Sequence, residues 1–100
     1  MRVTIAARHC DVSDDLRERA RAQIERLARL ARRPDRARVL FAEDAGKPMV
    51  ELQLHTATHL HVASAPAADH RTALDLALSR MRRQLVRDRE TPRTRRRVPK

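Results

Sequence analysis

The sequence predicts an α+β fold, a two-layer βαβββα sandwich in which a four-stranded sheet carries two helices on one face. Three observations predict it. Two segments repeat apolar residues at helical spacing, and four short segments alternate with the period of a strand. One turn marker, Ala45-Gly46-Lys47, separates two of those strands and carries the chain's only Gly.

The elements follow in order. Residues 2–7, Arg-Val-Thr-Ile-Ala-Ala, put Val3 and Ile5 on one face, the pattern of a half-buried strand. Ser13 then stands where a helix N-cap belongs, with Asp14 and Asp15 in the first turn where the helix dipole favours carboxylates. Leu16, Ala20, Ile24, Leu27 and Ala31 recur at helical spacing until Pro34, which predicts a helix over about 13–32. Strands are expected at Ala37–Glu43, Pro48–His55 and Thr58–Ser64, with Thr56-Ala57 as the second hairpin loop. In the third strand Val50, Leu52 and Leu54 share the apolar face, and Met49, Glu51, Gln53 and His55 share the other. In the fourth, Leu60 and Val62 are expected to be buried and His59 and His61 wetter. Asp69 can cap the last helix, whose stripe is Leu74, Ala77, Leu78, Met81 and Leu85. Residues 1–90 therefore form one domain, and residues 91–100, Thr-Pro-Arg-Thr-Arg-Arg-Arg-Val-Pro-Lys, are expected to be a disordered basic tail. No repeat is evident.

Charge is the strongest functional signal. Between Arg80 and Lys100 stand ten Arg or Lys against Asp88 and Glu90, a net +8 of the formal +10. On the last helix Arg80, Arg83 and Arg87 flank the apolar stripe, as do Arg82 and Arg89. On the first, Arg19, Arg26 and Arg33 are seven apart, and residues 16–33 hold seven Arg against Glu18 and Glu25. If the helices pack side by side, their outer surfaces merge into a continuous basic face able to neutralise several phosphates. The acids are too few to balance it, so a polyanionic partner is expected. Phe41 is the only aromatic residue, which disfavours readers that stack bases on aromatic platforms. RNA would then be recognised through backbone and shape.

Other chemistry has little support. His55, His59 and His61 lack a carboxylate or thiolate placed to complete a metal site, so neither metal nor other cofactor is expected. Cys10 cannot form an internal disulfide, and its neighbour His9 points elsewhere on an extended chain. One Gly cannot make a phosphate-cradling loop, and Asp14 and Asp15 are accounted for by capping. These features argue against an enzyme with a small-molecule substrate. No apolar run reaches membrane-span length and no signal peptide is evident, so the expected address is the cytoplasm. A last helix whose apolar stripe serves the core cannot also enter a membrane surface.

The chain resembles the short kind of the ribosome hibernation-promoting factor / ribosome-associated inhibitor A family, the sigma-54 modulation protein-like group. Val3-Thr4-Ile5 and Val12-Ser13-Asp14-Asp15-Leu16-Arg17-Glu18 are similar to that family's opening strand and helix entry. Ile24-Glu25-Arg26-Leu27 and Leu60-His61-Val62-Ala63-Ser64-Ala65 resemble its next segments. The end of the match is Asp69, Ala73, Leu74, Asp75 and Arg80-Met81-Arg82-Arg83-Gln84-Leu85. Arg71, Gln23 and Ala67 depart from the usual Tyr, Lys and Gly. Long members carry a further C-terminal domain, whereas this sequence ends in a basic tail. The resemblance implies a double-stranded-RNA-binding-like βαβββα layout that binds small-subunit, 16S-type rRNA in the tRNA and mRNA channel and inhibits translation under stress. It implies no catalysis and a monomer when free. Carried over residue by residue, it assigns rRNA binding to Arg17, Arg26, Arg29 and Arg33 on the first helix and Arg80, Arg82, Arg83 and Arg87 on the last. Asp75 would be structural or orienting. The alternative is a generic double-stranded RNA-binding module acting off the ribosome.

Overall fold

The computed structural model describes residues 1–90 in the order β1 (Arg2–Ala7), α1 (Asp14–Ala28), β2 (Pro34–Asp44), β3 (Lys47–Thr56), β4 (Leu60–Pro66) and α2 (His70–Glu90). The expected βαβββα order is the observed one. The expectation of a disordered tail at 91–100 lies outside the described residues. The sheet runs β1-β2-β3-β4; β1 lies parallel to β2, and the other two pairs are antiparallel. A parallel neighbour requires a crossover, and α1 supplies it.

Both caps form. Ser13 accepts a hydrogen bond from the Leu16 backbone N–H at 3.1 Å, and Asp69 accepts one from the Thr72 N–H at 2.8 Å. Each satisfies a donor that a helix start leaves without an intrahelical acceptor. That bond, from the Thr72 backbone, is also the main reason the Asp69 carboxyl lies below its ordinary 3.8.

α1 ends at Ala28, four residues short of the expected boundary. Leu30 and Ala31 donate to Leu27 and Ala28 at 3.0 Å, so the chain tightens into three-residue turns. Arg33 then takes φ +52° before Pro34, whose ring disfavours a helical residue ahead of it. The periodicity through Ala31 reflects continued packing against the core rather than continued helix. At the other hairpin Ala45 (φ +54°) and Gly46 (φ +80°) form a two-residue loop between Asp44 and Lys47. Two positive φ angles in such a loop match the twist of the strands it joins.

The core lies between the helices and one face of the sheet. Val39, Phe41, Val50, Leu52 and Leu54 from β2 and β3 are buried against Ile24 and Leu27 of α1 and Leu74, Met81 and Leu85 of α2. β4 reverses the expected assignment. Leu60 and Val62 are 54% and 43% exposed, while Ala63 and Ala65 are buried. The register explains this, since His61, Ala63 and Ala65 lie opposite Leu54, Leu52 and Val50 and so share their helix-facing side. Long side chains from β3 and α2 fill that layer and leave β4 room for methyl groups. At the start of α2, His70 Nε2 lies 2.8 Å from the Ala42 carbonyl, and its ring meets Phe41 edge-on at 5.8 Å. This ties the start of α2 to the far end of β2.

Candidate nucleic-acid interface

The two helices share the covered face of the sheet and meet where Arg19 Nη2 donates to Asp75 Oδ1 at 3.3 Å. Their side chains are 35% and 51% exposed, so the pair is a surface contact worth at most about 1 kcal/mol. Between the helices runs an open groove of about 430 Å³. Leu27, Leu30 and Leu78 give it apolar walls, and Arg19, Gln23, Arg26, Asp75, Ser79 and Arg82 line the remainder.

Helical geometry explains which arginines reach it. At ~100° per residue, seven residues bring a side chain back within ~20° of its starting direction. Arg19 and Arg26 therefore lie in one row along α1, and Asp75 and Arg82 in one row along α2. Arg17 is nine residues from Arg26, a rotation of ~900° that leaves it on the opposite side of α1. It follows the row of buried Ile24 and is itself half-buried. Arg17 therefore does not share the row of Arg19 and Arg26, and the expected placement of Arg33 on the first helix is corrected, since it lies beyond α1. Arg29 occupies the C-cap, with its backbone N–H directed at the Arg26 and Leu27 carbonyls and its side chain exposed.

The arginines of α2 divide in the same way. Arg82 lines the groove. Arg80 lies ~200° away from it and turns to the edge of the sheet, donating to the Ser64 carbonyl at 2.6 Å. One turn on, Gln84 donates to the Val62 carbonyl at 2.7 Å, and one further turn brings Asp88 to 3.5 Å from His61 Nδ1. This row closes the outer edge of β4, where unpaired carbonyls would otherwise face solvent. Arg87 is seven residues from Arg80 and shares that side. Arg83 is exposed and lies ~200° from buried Met81, directed away from the sheet.

Three groove residues stand outside the contact set assigned from the sequence: Arg19, expected only as part of the basic face, Gln23, noted only as a departure from Lys, and Asp75, read as structural or orienting. The seven-residue spacings Arg19–Arg26 and Asp75–Arg82 carried the signal for two of them. Arg21 has a structural task, donating to the Val3 carbonyl at 3.3 Å.

The other candidates do not converge. His59 and His61 stack at 5.9 Å, whereas His55 lies on the uncovered face of the sheet opposite Leu60. Among the described residues no three His, Cys, Asp or Glu side chains are grouped to hold a metal ion. Cys10 is half-buried with its Sγ 3.5 Å from the Phe41 carbonyl. No described helix is long and apolar enough to cross a membrane.

Comparison with known proteins matches residues 3–93 to the family described as Sigma 54 modulation protein / S30EA ribosomal protein. A relative from Azotobacter vinelandii, a ribosome hibernation promoting factor, is 32% identical over 90 residues, 90% of this chain and 84% of that one. Two solved structures share the fold. The N-terminal domain of Thermus thermophilus Protein Y superposes with a TM-score of 0.74 at 24% identity, covering 87% of this chain and 98% of that one. A ribosomal subunit interface protein from Coxiella burnetii gives 0.78 at 18% identity, covering 90% and 99%.

Proposed function

The chain belongs to the Sigma 54 modulation protein / S30EA ribosomal protein family, and from that premise we propose that it is a ribosome hibernation factor. It binds small-subunit rRNA in the channel for tRNA and mRNA and inhibits translation under stress by occupying that space. The observation that carries this reading is the groove between α1 and α2, with Arg19, Arg26 and Arg82 along it. Arg29 and Arg83 are exposed beside it. Guanidinium groups in this arrangement offer forked donors to phosphate oxygens. The rigid sandwich beneath them keeps the rows in register, so binding requires little ordering of the protein.

The mechanism is steric and electrostatic. The factor is not an enzyme and needs no bound cofactor. It acts in the cytoplasm, where ribosomes are, and the free protein is a monomer. Within the proposed contact set Arg26, Arg82, Arg83 and Arg29 face the RNA directly. Arg80 and Arg87 approach it from the β4 side and Arg33 contributes at the margin, whereas Arg17, on the opposite side of α1 from Arg26, adds only long-range attraction.

Cosedimentation with small subunits over a salt series tests the proposal. Binding is expected to weaken steeply with salt and to be competed by tRNA and mRNA. Binding insensitive to salt would overturn it. Salt-sensitive binding that tRNA and mRNA do not compete would assign the chain to generic double-stranded RNA recognition instead.

A further inference from the structure

Asp75 is out of place in a groove that serves phosphate alone. It is the one acid among the groove's lining residues, it is half exposed, and it faces the same space as Arg26 and Arg82. A carboxylate there repels an incoming phosphate. It becomes favourable when the incoming group carries hydrogen-bond donors, because an ionised carboxylate has about four acceptor sites and Arg19 supplies one bond to it. Arg19 is itself incompletely satisfied, since among the described residues its Nε is buried without a hydrogen-bond partner. That Nε is enclosed, so what the groove presents is the partly exposed remainder of the Arg19 guanidinium, side by side with the Asp75 carboxylate and near the leucine walls.

We propose that this groove holds one unpaired guanosine of the RNA strand, its base edge read by the Arg19–Asp75 pair and its phosphate placed at Arg26 and Arg82. The inference rests on the RNA-binding reading above and names what the groove selects. Of the four bases only guanine offers two adjacent donors, N1–H and N2–H, next to an acceptor, O6. Two parallel N–H groups suit Asp75, and O6 lies on the side of Arg19 and Gln23, which also lines the groove. The volume of about 430 Å³ is in the range of roughly 300–1,000 Å³ typical of ligand pockets. The base face would rest on Leu27, Leu30 and Leu78, and guanidinium planes can stack on it where aromatic rings are absent.

The test is an NMR titration of the isotopically labelled full chain with 5′-GMP, 5′-UMP and inorganic phosphate at low salt. GMP is expected to shift the amides of Leu27, Leu30, Leu78 and Ser79. A bidentate base contact predicts that it binds at least about fivefold tighter than UMP or phosphate. Asp75→Asn should reduce the preference for GMP over UMP to less than about twofold. If that variant does not fold, the comparison of ligands on the unaltered protein still decides. Equal affinity for GMP and UMP, or the same shifts from phosphate alone, overturns the proposal.

A short oligouridine with one central guanosine identifies the source. It is expected to bind tighter than GMP through its flanking phosphates, and tighter binding of free GMP would overturn assignment to an RNA strand. Salt-sensitive cosedimentation with small subunits but no guanine preference removes only the groove assignment. Guanine preference without cosedimentation removes the ribosomal reading.

Discussion

Replacing Arg26 and Arg82 together by Gln removes two positive charges from opposite walls of the groove without disturbing the core, because both side chains are exposed. Stability should change by no more than about 0.5 kcal/mol per site. The effect on RNA binding follows from counterion release, in which each phosphate contact steepens log K against log salt by roughly 0.7 to 0.9. Losing two contacts flattens the slope by about 1.4 to 1.8. Between ~50 and ~200 mM salt, the unaltered protein should therefore lose about 7- to 12-fold more affinity than the variant. Filter binding of labelled small subunits across that range, at fixed magnesium, measures both slopes. Arg17→Gln is the internal comparison, since its side chain departs on the opposite side of α1 from Arg26. It should leave the slope within about 0.3 of the unaltered value. Parallel lines for Arg26→Gln/Arg82→Gln and the unaltered chain, or a flattened line for Arg17→Gln alone, would refute the placement of RNA over the groove.

Three further outcomes test the fold that supports the interface. Phe41→Ala empties the centre of a fully buried layer and should destabilise the protein by about 3–5 kcal/mol in a urea titration. Asp69, whose folded carboxyl lies below its ordinary 3.8 because of the Thr72 N–H, contributes stability that is present above that value. The contribution is lost as pH falls through the lower folded value. Asp69→Asn keeps a capping oxygen but removes the titration, so urea midpoints compared between neutral and acid pH should fall less for the variant; identical pH dependence would refute this. Gln84→Ala uncovers the Val62 carbonyl on the β4 edge beside exposed Leu60 and Val62. It should cost about 0.5–1.5 kcal/mol and promote edge-to-edge association visible as higher mass in sedimentation velocity; an unchanged monomer would show that Gln84 is not an edge cover.

Local chemistry made most of the fold legible. Ser13 and Asp69 mark the two helix starts because capping depends on a side chain and the next three residues alone. Val50, Leu52 and Leu54 mark the face of β3 because the alternation is complete. β4 defeated the same rule. Its larger apolar residues, Leu60 and Val62, face outward, and only the pairing of Ala63 with Leu52 and Ala65 with Val50 tells which side is covered. Volume decided that face, and the volumes that decided it belong to β3 and α2. The end of α1 was equally hidden, since Leu30 and Ala31 continue to pack on the core after the helical hydrogen bonds have stopped.

The site was legible as a charge and not as a geometry. Counting arginines on each helix locates a basic surface, but a count ignores direction, and two residues along a helix reverse it. Arg80 and Arg82 stand two apart; one closes the β4 edge while the other lines the groove. Spacings of seven survive folding, which is why Arg19 and Arg26 stay together, as do Asp75 and Arg82. The informative element of the sequence was therefore the acid that shares a row with Arg82, because a lone carboxylate among guanidiniums separates a surface that merely attracts RNA from one that can select what it holds. Arg19→Gln sharpens this distinction. If the pair only ties the helices together, the variant should lower stability slightly and leave base preference unaltered. If the pair reads a base, it should leave the urea midpoint almost unmoved, since an exposed pair is worth at most about 1 kcal/mol, and abolish the preference for GMP.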